Sequence, residues 1–177
     1  YLGLVYFELN NFNKSLLYYK KLLIKDPSST SGLLNLAIVN QTIGNINLSK
    51  KIYLKLIKQN SLNIRAYYGL YLLDAKNFSE KNFEVLLNIK KNNKLNLYDF
   101  ALINFLLSKS EKKKNKIKKE IEYLKTFHIN IFNSNLHYNN SSQFYYEKII
   151  KKHFNKINIV NTNNSNLKTN NIEPIFI

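Results

Sequence analysis

The chain has 177 residues, 45% of them hydrophobic, which is enough to build a core and too many for wholesale disorder. It has no cysteine, which excludes disulfides and thiolate-held metals, and no apolar run near the roughly 18 residues that a membrane-spanning helix needs. Its formal net charge of +16 invites nucleic acid or an anionic surface as partner, but Arg65 is the only arginine and phosphate-clamping surfaces favour the arginine fork; a chain saturated with Lys, Asn and Ile, all with A/T-rich codons, accounts for the lysines without a ligand.

Taken in order, the chain opens inside a helix that ends near Leu9, with Asn10-Asn11 as a turn. A second helix near 12–25 carries Leu16, Tyr19, Leu22 and Leu23 at helical spacing, and Pro27 closes it, since proline cannot donate the next backbone hydrogen bond. Ser28, Ser29, Thr30 and Ser31 offer N-cap oxygens for a unit starting near Thr30, whose helices run over about 30–43 and 46–59 with Gly44 at the turn between them. A third unit starts near Ile64, keeps register through Ala66, Tyr67 and Leu70, and slips after Asp74, which places its second helix at roughly 80–91. In a degenerate fourth pair, Leu97, Ala101 and Phe105 mark the first helix, and Ile117, Ile121 and Leu124 the second. The lysine-rich stretch Lys109 to Lys119 between them is expected to be a solvated turn and helix start. Residues 129–140 are Asn-rich and outside the pattern, Ser141-Ser142 are expected to cap a helix over about 142–154, and 161–171 read as a polar linker. The final Glu173-Pro174-Ile175-Phe176-Ile177 is either the first strand of an α/β domain or a tail packed on the last helices.

These elements repeat every 34 residues: Leu2, Leu36 and Leu70 are equivalent, as are Gly3 and Ala37, Ser15 and Ser49, Tyr19 and Tyr53, and Leu22 and Leu56. Small residues let two antiparallel helices approach, and the Leu and Tyr positions fill the space between them. The pattern resembles the tetratricopeptide repeat. The expected fold is therefore all-α, a right-handed superhelix of helix pairs over 1–128, with repeats at about 1–29, 30–63 and 64–95 and a degenerate one at 96–128. A linking helix and linker would fill 129–171, and a strand stub 172–177. The first repeat lacks its opening positions, so the sequence is expected to be a piece of a longer protein, with residues 1–9 partly frayed.

The order of repeats, aromatic helix (Phe144, Tyr145, Tyr146, Ile149, Phe154), polar linker and Pro174-Ile175-Phe176-Ile177 is similar to bacterial proteins that fuse tetratricopeptide repeats to a sulfotransferase domain. That resemblance implies an intact protein moving a sulfuryl group from PAPS to a hydroxyl, that of a protein tyrosine or of a glycan, with the donor-binding loop beyond Ile177. It assigns no catalytic or PAPS-binding residue to this chain. The alternative is a tetratricopeptide interaction scaffold with no enzyme attached. Cytoplasmic location is expected in either case.

Such arrays bind through the surface lined by the first helix of each pair. Here that surface would present Leu4, Phe7 and Glu8, then Ser31, Leu34, Asn35, Ile38 and Gln41, then Tyr68 and Leu72. It is either a groove for an extended peptide, with Asn35 and Gln41 bonding the peptide backbone, or ordinary packing between neighbouring pairs. The basic clamp that some arrays use for C-terminal carboxylates is not matched, because Leu4 and Ile38 occupy its polar positions. No metal is expected: His128, His137 and His153 lack the four-residue spacing of a helical zinc motif. Glu120 and Glu122 point to different helix faces, and the 4 glycines are isolated, so neither a carboxylate dyad nor a phosphate loop is present.

Overall fold

The computed structural model of the chain describes residues 1–150 and Lys152. Two compact units divide it, Tyr1–Asn135 and Leu136–Ile177.

The first unit is built from helices α1 (Leu2–Glu8), α2 (Phe12–Lys25), α3 (Thr30–Thr42), α4 (Ile46–Gln59), α5 (Ile64–Leu73), α6 (Glu80–Asn92), α7 (Leu97–Lys113) and α8 (Ile117–Ser134). Local chemistry sets their starts. Side-chain oxygens of Asn11, Ser29, Asn63, Ser79 and Asn96 each accept from a backbone N–H in the first turn of the helix that follows. α2 stops at Lys25, two residues short of Pro27. The turn inside the first pair places Asn10 at φ 56°, and the turn inside the second places Gly44 at φ 84°. These positions are 34 residues apart, so the repeat carries its left-handed turn residue in register.

Packing inside the first two pairs is equally periodic. Ser15 Oγ donates to the Gly3 carbonyl at 2.7 Å, and Ser49 Oγ donates to the Ala37 carbonyl at 2.8 Å. Both serines are fully buried. A hydroxyl bonded to a carbonyl of the facing helix requires a small residue at that point, which is why Gly3 and Ala37 alternate there. Tyr19 and Tyr53 then fill the space beside them, and both are buried.

The third pair breaks this rule at four places, with Phe83 at the serine position and Leu87 at the tyrosine position. The small-residue position is occupied by Tyr71, and the turn position by Phe78. A tyrosine holds α5 and α6 apart, and a phenylalanine is disfavoured in the left-handed region. The chain answers with the longer connection 74–79, which turns Phe78 inward. Its ring meets Tyr67, Tyr71 and Phe83 at centroid distances of 6.5, 5.4 and 4.9 Å. Lys50 on α4 pairs with Asp74 at 2.7 Å, and its hydrogen bond, with those from Asn77, holds the Asp74 carboxyl below the usual carboxylate range. Lys113 on α7 donates to the carbonyls of Ala75 and Phe78. α5 packs chiefly on α4 and α7.

Several sequence expectations need correction. The stretch Lys109 to Lys119 is a turn and helix start only in its second half: α7 continues to Lys113, residues 114–116 turn with Asn115 at φ 54°, and α8 begins at Ile117. Lys113 and Lys114 there have partners, the latter in Glu80. Ile117 and Ile121 do not face the pair interior but stand exposed; Tyr123 and Phe127 turn inward instead, Phe127 against Phe105 at 5.3 Å. Residues 129–134 are not irregular. They prolong α8, within which Asn130 Nδ2 and Ser134 Oγ donate back to carbonyls of their own helix.

In the second unit, α9 (Leu136–Phe144) is followed by a π-helical segment, Tyr145–Ile150. Ser141 and Ser142 do not cap this helix but lie within it, and Ser141 Oγ donates to the His137 carbonyl at 2.9 Å. The remainder of the expected 142–154 helix beyond 150, the 161–171 linker and the 172–177 strand lie outside the described residues, apart from Lys152. Among the described residues there is no strand.

The first helix is weakly anchored. Only Gly3 of α1 is buried, while Leu2, Leu4 and Val5 are each about half exposed. Amide hydrogens of residues 5–8 are therefore expected to exchange near free-chain rates while those of α3 and α7 are protected. Equal protection of α1 and α3 would overturn this.

Candidate functional site

A groove of about 590 Å³ opens along α3, α5 and α7. Successive repeats supply it in rows spaced by 34 residues. Leu34, Tyr68 and Leu102 form one row, and Ile38 and Leu72 another. Because each helix presents the same face, equivalent residues line up across the array. The walls are largely apolar, with Asn35, Gln41 and Thr42 adding hydrogen-bonding groups along α3.

Gln41 is fixed from below. Tyr53 rises from α4 and donates its hydroxyl to Gln41 Oε1 at 2.9 Å. The ring passes beneath Gly69 so closely that any Cβ there would collide with it. Burial pushes the Tyr53 phenol up to about 12, so it stays a proton donor throughout the physiological range. Tyr68 stands edge-on to Phe105 at 5.6 Å, and its phenol is also raised, mainly by burial.

A second cavity of about 610 Å³ lies at the interhelix loops, and it shares Leu34 and Arg65 with the first. Its lining is more polar, with Ser28, Ser29, Thr30 and Ser31 on one side and Asn60 and Asn63 on the other. Arg65 sits at the junction. Its Nε donates to Asp99 Oδ1 at 3.3 Å, and its guanidinium lies 4.9 Å from the Tyr98 ring centroid. Asp99 is itself fixed, since Asn96 Nδ2 donates to its other carboxylate oxygen at 2.7 Å.

Of the residues expected at a binding surface, Leu34, Asn35, Ile38, Gln41, Tyr68 and Leu72 share the first cavity, and Ser31 lines the second. Leu4, Phe7 and Glu8 line neither; Phe7 packs on Phe12 at 5.7 Å, and Leu4 and Glu8 are exposed on α1. Sequence reasoning missed Arg65, Tyr98 and Leu102. Two were within reach: 34 residues after Ser31 is Arg65, and 34 after Tyr68 is Leu102. Tyr98 follows Ile64 by the same step, but Ile64 is core, so that row carried no signal.

Among the described residues, no three His, Asp or Glu side chains converge as metal ligands, and no helix is long and apolar enough to cross a membrane. No protein-family model matches the chain, and no curated protein matches it. The segment that carried the sulfotransferase resemblance lies largely outside the described residues, and these comparisons lend that resemblance no support. The tetratricopeptide protein MamA, known from its crystal structure, superposes with a TM-score of 0.53 at 20% identity, covering 75% of this chain and 76% of that one. Likeness at that identity concerns the fold, and in fold the described residues form an all-α array of antiparallel helix pairs like that of MamA.

Proposed function

We propose that the chain is a non-catalytic scaffold of tetratricopeptide type that binds an extended segment of a partner protein in the groove of α3, α5 and α7. The observation that carries this reading is the groove itself, a concave, mainly apolar surface with a few polar groups held in place from behind. Leu34, Ile38, Leu72 and Leu102 would take apolar side chains of the peptide, and Asn35 and Gln41 would bond its backbone. Ser31 would extend the contact into the polar cavity. In this reading the array follows the right-handed superhelical course of its class, and the interaction reading displaces that of a sulfotransferase front.

Panning the whole chain against a phage-displayed library of random dodecapeptides tests the proposal. Selected peptides, synthesised with a fluorophore, are expected to bind the chain in anisotropy titrations. Leu72→Glu is expected to weaken them by roughly ten-fold or more while leaving thermal unfolding near that of the parent, because Leu72 is half exposed. Peptides indifferent to Leu72→Glu and to Ile38→Asp would place binding elsewhere and sink the reading.

A further inference from the structure

We infer that the groove selects a peptide carrying an internal acidic side chain beside an apolar one, and that Arg65 receives the carboxylate. This inference rests on the peptide-binding reading above and adds to it the chemistry of the bound segment.

Three observations converge. First, Arg65 is preorganised. Its Nε edge is engaged by Asp99, its plane lies against Tyr98, and Asp99 is in turn held by Asn96. The two terminal nitrogens of the guanidinium have no hydrogen-bond partner among the described residues, and the side chain is about half exposed. A guanidinium oriented from behind with its outer fork open is the arrangement that accepts a carboxylate on two parallel hydrogen bonds, with little orientational freedom left to lose.

Second, position decides between an internal acid and a chain terminus. Arg65 does not close the groove at one end. It borders both cavities, the apolar one along α3, α5 and α7 and the Ser-rich one at the loops, and Leu34 borders both with it. A bound chain that occupies both cavities must run past Arg65 in both directions. The group meeting the guanidinium is then a side chain of Asp or Glu, and an apolar neighbour falls against Leu34 and Tyr68. This differs from capture of a C-terminal carboxylate, which needs a site that ends.

Third, Arg65 is the only cation lining either cavity, and the two carboxylates that line the second one are Asp99, its own partner, and Asp26. The chain as a whole carries +16, which draws an acidic segment toward it before contact. Asp26 accepts from the Ser28 hydroxyl and backbone N–H through Oδ1 and keeps its negative charge.

The peptides selected from the dodecapeptide library provide the test. The expected result is enrichment of Asp or Glu adjacent to Leu, Ile or Phe, away from the peptide C-terminus. Arg65→Gln should weaken a selected peptide by roughly ten-fold, and replacing its acid by the amide should weaken it as much on the parent chain but no further on Arg65→Gln. Arg65→Lys should recover only part of the loss, because the ammonium cannot form the fork. Far-UV melts of each variant verify the fold. Binding that depends on Leu72 but is indifferent to Arg65→Gln and to the acid overturns this inference and leaves the groove reading standing. Loss of binding on blocking or moving only the C-terminal carboxylate also overturns it. Binding indifferent to Leu72, Ile38 and Arg65 alike sinks both.

Discussion

Truncating Tyr53 to alanine is expected to cost about 3–5 kcal/mol and to reverse the sign of a second substitution, Gly69→Ala. Tyr53 is 1% exposed and packs between α4 and α5. A Cβ built on Gly69 would stand 2.6 and 2.7 Å from Cε1 and Cε2 of that ring and closer still to Cζ. Gly69 lies inside a helix, where alanine would ordinarily gain about 0.5–1 kcal/mol over glycine. Against the intact ring that gain is outweighed by overpacking, and Gly69→Ala is expected to lose about 1–3 kcal/mol. With Tyr53 already truncated, the obstacle is gone and the same substitution should stabilise. Tyr53→Phe separates the hydroxyl from the ring: it keeps the packing, frees Gln41 Oε1, and should cost about 1 kcal/mol. Urea unfolding of the four combinations measures the coupling. If Gly69→Ala has the same effect in both backgrounds, the close approach of α5 to Tyr53 is wrong. The cycle reaches function as well, because a displaced Tyr53 releases Gln41 and lets Gly69 and its helix back away from the groove.

Phe78→Ala is expected to destabilise the array by about 3–5 kcal/mol, an effect of a kind rarely seen for a residue in a connection. Phe78 is 3% exposed and touches aromatic rings from α5 and α6. It is the wedge that replaces the close helix approach of the first two pairs. Phe78→Gly is the informative companion. Glycine stands at the equivalent turn position of the second repeat, as Gly44. Restoring the residue type would not restore the turn, because Tyr71 still holds α5 and α6 apart and the ring cavity remains empty. Phe78→Gly should therefore be no more stable than Phe78→Ala. A cost below about 1 kcal/mol for either would mean that the aromatic cluster is not part of the cooperative core. Unfolding followed by tyrosine fluorescence and by far-UV circular dichroism would also reveal whether α6 to α8 separate from α1 to α5 in the variant.

The groove was legible in outline, and its polar end was not. Six of the ten residues expected on the first helices meet in one cavity, because helix faces in register leave a periodic trace in sequence. Arg65 read as a lone arginine in a lysine-rich chain and was used only to discount nucleic acid. Its orientation depends on Asp99, 34 residues on, and on the ring of Tyr98, so its meaning arises between repeats rather than within one. Leu4, Phe7 and Glu8 hold equivalent register positions to Ile38, Gln41 and Thr42, yet α1 is a short helix with one buried residue and contributes nothing to the cavity.

What the sequence by itself determined is whatever repeats: two small residues, two serines and two tyrosines at a 34-residue interval, with capping Asn and Ser residues ahead of the helices. These act over one turn of helix or across one helix pair, so local chemistry is enough to place them. The tertiary structure decided the rest. It extended α7 and α8 through segments whose lysines and asparagines look like loops; there Lys113 and Lys114 find tertiary partners and Asn130 donates back to its own helix. It turned Phe78 inward, against the rings of Tyr71 and Phe83. And it set the open fork of Arg65 at the meeting of two cavities, since the orientation of a long, flexible side chain is fixed by what surrounds it and not by its place in the chain.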